Sequence, residues 1–181
     1  MKVIFLDFDG VLNSQGSFLF EHNERKRFAE KSKVDGEKGP KGPVNESLCH
    51  VCTSNFQFVL EQYKEVKIVI SSTWRELFSI DWLKEKLASY HIDSSRVIGI
   101  TPSAWGNYRG AEIKMWLNEH PEVTHYVIID DNDDGLTENH GASRFVKTSW
   151  EGGMTFAHAE ELIEKLSTKN AKRLKNEKPE S

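Results

Sequence analysis

The sequence predicts an α/β fold, a doubly wound, Rossmann-like parallel sheet of five strands with a minimal cap or none. Three observations carry this expectation. Five short apolar runs, Lys2–Asp7, Lys67–Ser71, Arg96–Ile100, Tyr126–Asp130 and Arg144–Lys147, are rich in Val and Ile and nearly continuous, as strands buried on both faces are. Segments of helical period separate them, which is the alternation of a parallel sheet with crossover helices. Several runs also lead directly into polar or acidic residues, at the carboxyl ends where such folds bind ligands.

The elements follow in order. The first run, KVIFLD, opens the sheet. Asn45–Tyr63 has a capping Asn and sets Leu48, Val51, Phe56, Val59 and Leu60 on one broad face. After the second run, Ile80–Tyr90 contributes Leu83 and Leu87. After the third, Gly110–His120 contributes Ile113, Trp116 and Leu117 and stops at Pro121. The last helix, Thr155–Leu166, has a capping Thr and carries Ala159, Leu162, Ile163 and Leu166 inward. Residues 14–44 are polar, of mixed charge and punctuated by Gly-Pro, as an inserted flap on the first strand–helix connection would be. Residues 168–181 form a Lys-rich polar tail.

With 181 residues, the chain is long enough for one domain with a full core, expected over residues 1–167. A net charge of -4 and a pI near 6.0 exclude a general attraction for polyanions, so nucleic-acid contact would need a local patch. The start of the chain lacks the features of a signal peptide, no apolar run is long enough to span a membrane, and the two cysteines are too few for a disulfide scaffold. These features lead to the expectation of a cytoplasmic protein without a membrane or a stable protein partner. Cys49-His50-Val51-Cys52 is a CxxC, but no second pair exists to complete a zinc site. It reads as ordinary helix core.

The chemistry is expected at four strand or helix ends. In Asp7-Phe8-Asp9-Gly10-Val11, residues two apart in an extended chain share a side, so Asp7 and Asp9 can face one pocket. Carboxylates this close repel unless a cation or a proton compensates, and Mg²⁺ with oxygen ligands suits them. Asp130 and Asp131 end the fourth run at the same edge, leading into Asn132, Asp133 and Asp134. Ser71 and Ser72 end the second run, where hydroxyls and backbone N–H groups suit phosphate oxygens, and Arg75 offers a bidentate clamp. Arg109 opens the helix before the fourth run, with Lys114 one turn further in as the alternative cation.

The order of strand-terminal DxDGV, strand-terminal Ser, helix-start basic residue and strand-terminal DD resembles the haloacid dehalogenase (HAD) superfamily over roughly residues 1–167. The resemblance implies a HAD-like phosphatase with Asp7 as nucleophile, Asp9 as general acid/base and an aspartyl-phosphate intermediate. It further implies that Ser71 binds the phosphoryl group, that Arg109 replaces the usual lysine, and that Asp7, the Asp9 carbonyl and Asp131 hold Mg²⁺. Asp130 would be a further ligand or a supporting partner, and the choice among Asp130, Asp131 and Asp134 stays open. An aspartate at position 9 favours phosphatase or phosphomutase chemistry over dehalogenation.

The short insert implies an open site, suited to a nucleotide or to a phosphate exposed on a large molecule. Trp74, Trp105, Tyr108 and Trp150 follow strand ends, where a base could stack on them for about 1–3 kcal/mol each. The SSTWR and RGAEI-xx-WL stretches are similar to HAD phosphatase domains of nucleic-acid repair proteins of the polynucleotide kinase-phosphatase type. This implies a terminal phosphate of RNA or DNA as substrate. No P-loop of the form GxxxxGK[ST] is present. A capless phosphoprotein phosphatase and a catalytically idle binding protein on the same fold are the alternatives.

Overall fold

The first apolar run becomes the central strand of the sheet, and the other four strands follow from it. In the computed structural model, which describes residues 1–20, 22–23, 47–103 and 108–167, the strands are β1 (Lys2–Leu6), β2 (Lys67–Ile70), β3 (Val97–Ile100), β4 (His125–Asp130) and β5 (Phe145–Lys147). Each matches an expected run to within a residue or two. The helices are α1 (His50–Gln62), α2 (Ile80–Ser89), α3 (Arg109–Glu119), α4 (Leu136–His140) and α5 (Phe156–Leu166). Residues 15–20 are also helical. The remainder of the expected flap, the Asn45 cap, Trp105 and the tail from 168 lie outside the described residues.

All strands pair in parallel, in the order β3-β2-β1-β4-β5. The chain builds β1, β2 and β3 outward, then returns to lay β4 against the free side of β1. Direction therefore reverses between β1 and β4, and a parallel sheet opens its ligand crevice at the carboxyl ends flanking such a reversal. The register sets Leu6 beside Ile129, and the Asp7 N–H donates to the Ile129 carbonyl at 3.2 Å. The acidic ends of the first and fourth strands are thus neighbours.

Alternate residues of each strand enter two separate cores. Ile4, Leu6, Ile68, Ile70, Val127 and Ile129 pack beneath α1, α2 and α5 through residues such as Phe56, Leu83 and Leu162. Val3, Phe5, Val69 and Ile128 pack against Ile113 and Trp116 of α3 and Leu136 of α4. Coverage of both faces explains why the strands read as continuous apolar runs.

Two sequence expectations shift. Val51 is 68% exposed, whereas Cys52 is buried. Because α1 begins at His50, its inward stripe runs through Cys52, Thr53, Phe56, Val59 and Leu60, and Val51 falls outside it. The short helix α4 has no counterpart in the apolar pattern. The Thr155 cap holds, and His158 completes a reciprocal capping box with it.

A buried histidine ties α4 to α3. His140 Nε2 lies 2.8 Å from the Gly110 carbonyl, and its Nδ1 lies 2.9 Å from the Tyr126 hydroxyl. Donation from Nε2–H and acceptance at Nδ1 satisfy the neutral ring. Burial, reinforced by the charges of Arg144 and Lys114, holds its pKa below the ordinary value of 6.5. The unfolded chain therefore binds a proton that the folded chain resists, and this contribution to stability falls as pH drops through about 6.5. Thermal melts at about pH 7.5 and about pH 5.5 are expected to show a larger loss of Tm for the wild type than for His140→Gln, which has no such proton to exclude.

Candidate active site

Three carboxylates that are far apart in sequence converge at the reversal point. One oxygen each from Asp7, Asp130 and Asp131 lies within 4.8 Å of the others. Asp7 and Asp130 are buried, and Asp131 is partly so. The charges act on one another. Burial raises Asp7 above the ordinary carboxylate range, against the opposing pull of Arg109. Burial first, and the charge of Asp7 next, push Asp130 up to about 8. Asp131 is raised for the same two reasons.

Arg109 stands between them. Its Nη1 is 2.9 Å from Asp7 Oδ1 and 2.9 Å from Asp130 Oδ2. Burial opposes its charge, but the two carboxylates outweigh burial and hold its pKa above the usual arginine value. The backbone fixes this residue at the start of α3. The Arg109 N–H donates to Asp134 Oδ2 at 2.9 Å, and the Gly110 N–H donates to the Asp134 carbonyl at 3.1 Å. Asp134 therefore caps α3 from the acidic loop and is not one of the three converging acids. Lys114 is exposed on the same helix, so Arg109 is the cation that reaches the cluster.

The site needs glycine at position 10. Gly10 has φ +69°, and a Cβ there would collide with the Asp131 carboxylate. Its carbonyl accepts from the Thr148 hydroxyl at 2.7 Å, tying the DxDG turn to the end of β5.

Asp9 lies outside the charged cluster and in a different environment. Asn13 Nδ2 donates to Oδ1 at 2.8 Å, and the Trp74 indole Nε1 donates to Oδ2 at 2.9 Å. Trp74 is 5% exposed and packs against Phe8, Phe78 and Trp82. It is a clamp on Asp9 and not an open stacking surface. The side chain of Asn13 also accepts from the Gly10 N–H at 3.0 Å. Sequence reasoning passed over Asn13, although its place two residues after the DxDGV motif's glycine-valine pair put it within reach.

Ser71 follows β2, with its N–H on the Leu6 carbonyl at 2.9 Å. Its Oγ is buried and has no partner among the described residues. Ser72 helps hold the Asp7 carboxyl down, and its hydroxyl accepts from the Trp74 N–H, beginning a short 3₁₀ turn over Thr73–Glu76. Arg75 turns inward. Its Nη1 donates to the carbonyls of Ser71 (3.1 Å) and Ser72 (2.7 Å), and its Nη2 pairs with Glu112 at 2.5 Å. Its side chain is only 4% exposed. The expected anion clamp is instead a brace joining the serine turn to the helix that carries Arg109. Tyr108 and Trp150 are open to solvent near this edge, 67% and 36% exposed.

The donor set is all oxygen, crowded and electrostatically strained, and among the described residues Asp7 Oδ1 has no hydrogen-bond partner beyond its charge contact with Arg109. These features fit a hard divalent cation. Such a fold, with this constellation at its reversal point, defines a HAD-type α/β domain. The chain belongs to the HAD domain family of Swiss Army Knife RNA repair proteins, whose model matches residues 3–159, and HAD-type hydrolases are its class. Among solved structures, the HAD domain of the effector protein Lem4 of Legionella pneumophila superposes with a TM-score of 0.50 at 20% identity, covering 90% of this chain and 93% of that one. An inactive mutant of the same domain gives 0.51 at 20% identity, with 97% and 98% covered. That likeness is one of fold. No curated protein sequence matches the chain. Among the described residues no helix is long and apolar enough to cross a membrane.

The brace can be tested by stability. Glu112→Ala leaves the buried Arg75 guanidinium without its counter-charge, a loss expected to cost about 3–5 kcal/mol. The urea midpoint of the variant should fall accordingly, and Glu112→Gln, which keeps an acceptor, should lose less.

Proposed function

We propose that the protein is a Mg²⁺-dependent phosphatase that hydrolyses a phosphomonoester through an aspartyl-phosphate on Asp7. The convergence of Asp7, Asp130 and Asp131 around Arg109, with Asp9 held apart by neutral donors, carries this reading. Asp7, Asp130 and Asp131 would hold the ion, as would the Asp9 carbonyl by family resemblance. The ion supplies positive charge that lets a carboxylate and a phosphate dianion approach each other.

An oxygen of Asp7 attacks phosphorus, and the bond from phosphorus to the ester oxygen breaks. Asp9, in its acid form, gives its proton to the departing oxygen. It then takes a proton from water as that water attacks phosphorus, which releases inorganic phosphate and restores Asp7. Arg109 neutralises charge beside the nucleophile, and the Ser71 hydroxyl and the turn after it receive phosphoryl oxygens. The Trp74 and Asn13 contacts keep the Asp9 carboxyl from swinging toward Arg109.

The substrate class we assign is a nucleotide or a terminal phosphate of RNA or DNA. The family's association with RNA repair supports it, as do two exposed aromatics, Tyr108 and Trp150, close to the catalytic edge.

Hydrolysis of p-nitrophenyl phosphate with Mg²⁺ is expected to stop on EDTA addition and in Asp7→Asn. Turnover that survives either change overturns the mechanism. Among mononucleotides, 3′- and 5′-phosphorylated oligonucleotides and phosphopeptides, a preference for phosphopeptides overturns the substrate class.

A second set of rates tests the roles around Asp9. Asp9→Asn should lower turnover of an alkyl phosphate by ~10²–10⁴-fold. Trp74→Phe keeps the packing but removes the donor. It should reduce kcat more for alkyl phosphates than for p-nitrophenyl phosphate, whose leaving group needs no proton, while KM changes little.

A further inference from the structure

The CxxC sequence has no part in the catalysis described above, yet its placement is specific. Cys49 is the N-cap of α1 and Cys52 is the third residue of its first turn. Side chains at these two positions meet across the helix start, as they do in a capping box. Here the Cys52 thiol donates to the Gly152 carbonyl at 3.9 Å, and both cysteines are free. Helical i,i+3 spacing also brings the two residues within the separation that a disulfide spans.

We propose that Cys49 and Cys52 form a redox-active dithiol that closes to an internal disulfide, with Cys49 as the attacking thiol and Cys52 as the resolving one. The two residues are unequal in the way this division requires. Cys49 is half-buried and lines an open cavity of about 430 Å³ together with Ser17, Phe20, Leu48 and Tyr90. Cys52 is 1% exposed and sits in the core. The first turn of α1 carries no acidic residue, so no carboxylate there opposes a thiolate at the N-cap. The neighbouring Cys52 thiol first, and the backbone N–H groups of the first turn next, hold the Cys49 thiol down to about 5 despite burial. Cys49 in turn, followed by burial, raises Cys52. A depressed thiol beside a protonated, buried one is the usual division between attacking and resolving cysteines.

The chemistry balances with a low-molecular-weight disulfide, such as oxidised glutathione, as oxidant. The Cys49 thiolate attacks one glutathione sulfur, the glutathione S–S bond breaks, and one glutathione thiolate leaves. Cys52 loses its proton to solvent or to that thiolate, and its sulfur attacks Cys49. The mixed disulfide breaks, the second glutathione leaves, and the Cys49–Cys52 bond forms. Two protein thiols are oxidised as one glutathione disulfide is reduced to two thiols.

The dithiol lies directly behind the catalytic turn. The Cys49 N–H donates to the Leu12 carbonyl at 2.7 Å, and the Met154 N–H donates to the Val11 carbonyl at 2.9 Å. Gly153 packs so closely on Cys52 and Asn13 that a Cβ there would meet the Cys52 sulfur at 2.6 Å and the Asn13 carbonyl at 2.9 Å. The inference does not depend on the phosphatase reading, because thiol chemistry is its readout.

The test uses the full chain, reduced and then equilibrated in graded ratios of reduced to oxidised glutathione. Intact mass and peptide mapping should find the wild type losing two hydrogens within the peptide that holds both cysteines, with no glutathione adduct accumulating. Cys52→Ser should trap one glutathione on Cys49, and Cys49→Ser should form neither species. Alkylation of the reduced wild type by iodoacetamide should label Cys49 first, with a rate half-maximal well below the pH of about 8.5 typical of a free thiol. This measurement needs no variant. A stable mixed disulfide on the wild type, or labelling with an ordinary thiol's pH profile, overturns the proposal.

Discussion

Arg109 is placed where two buried carboxylates would otherwise face each other, and much of the site consists of the means that keep it there. Its Nη1 is equidistant from Asp7 and Asp130 at 2.9 Å. Burial raises the pKa values of Asp7, Asp130 and Asp131, and the charge of Asp7 raises those of Asp130 and Asp131 further. One guanidinium offsets part of this. The remaining negative charge, on oxygen atoms that have few hydrogen bonds, is what makes the pocket receptive to a divalent cation.

Holding the guanidinium in place takes contacts from three directions. The acidic loop reaches back to α3 through Asp134, whose carbonyl and carboxylate receive the first backbone N–H groups of the helix. His140 clasps the Gly110 carbonyl from α4, and Gly110 itself is so close to the Gly135 carbonyl that a side chain there would collide. From the other side, Arg75 spans Glu112 and the carbonyls of Ser71 and Ser72. Motion of α3 would therefore disturb the serine turn and the acidic loop together. Ser71, Asp7 and Arg109 thus sit in one mechanical unit.

The sheet was legible in the sequence because parallel strands covered on both faces leave an unbroken apolar trace, as KVIFL and KIVI do. The strand-end acids were legible for a related reason, since a buried run that stops at an aspartate marks its own edge. Side-chain direction beyond the backbone was not. Val51 and Cys52 are adjacent, and only the start of α1 at His50 decides which one turns inward. Arg75 and Glu112 are 37 residues apart, with α2 and β3 between them, so nothing local showed that the arginine would turn away from the pocket. The short helix α4 has too few residues to show a period.

Trp74 illustrates how environment divides work between two aspartates two residues apart. An aromatic after a strand end reads equally well as a stacking surface or as core, and tertiary packing against Phe8 and Phe78 settles it as core. Burial of an indole requires a partner for its N–H, and the partner here is Asp9. The same DxD segment thus delivers Asp7 into a field of charges and Asp9 onto two uncharged donors. For Asp7 as the proposed nucleophile the first setting is an advantage, because cations there would draw it to phosphorus. For Asp9 as the proposed acid/base the second is an advantage, because no fixed ion pair has to break each time its charge changes.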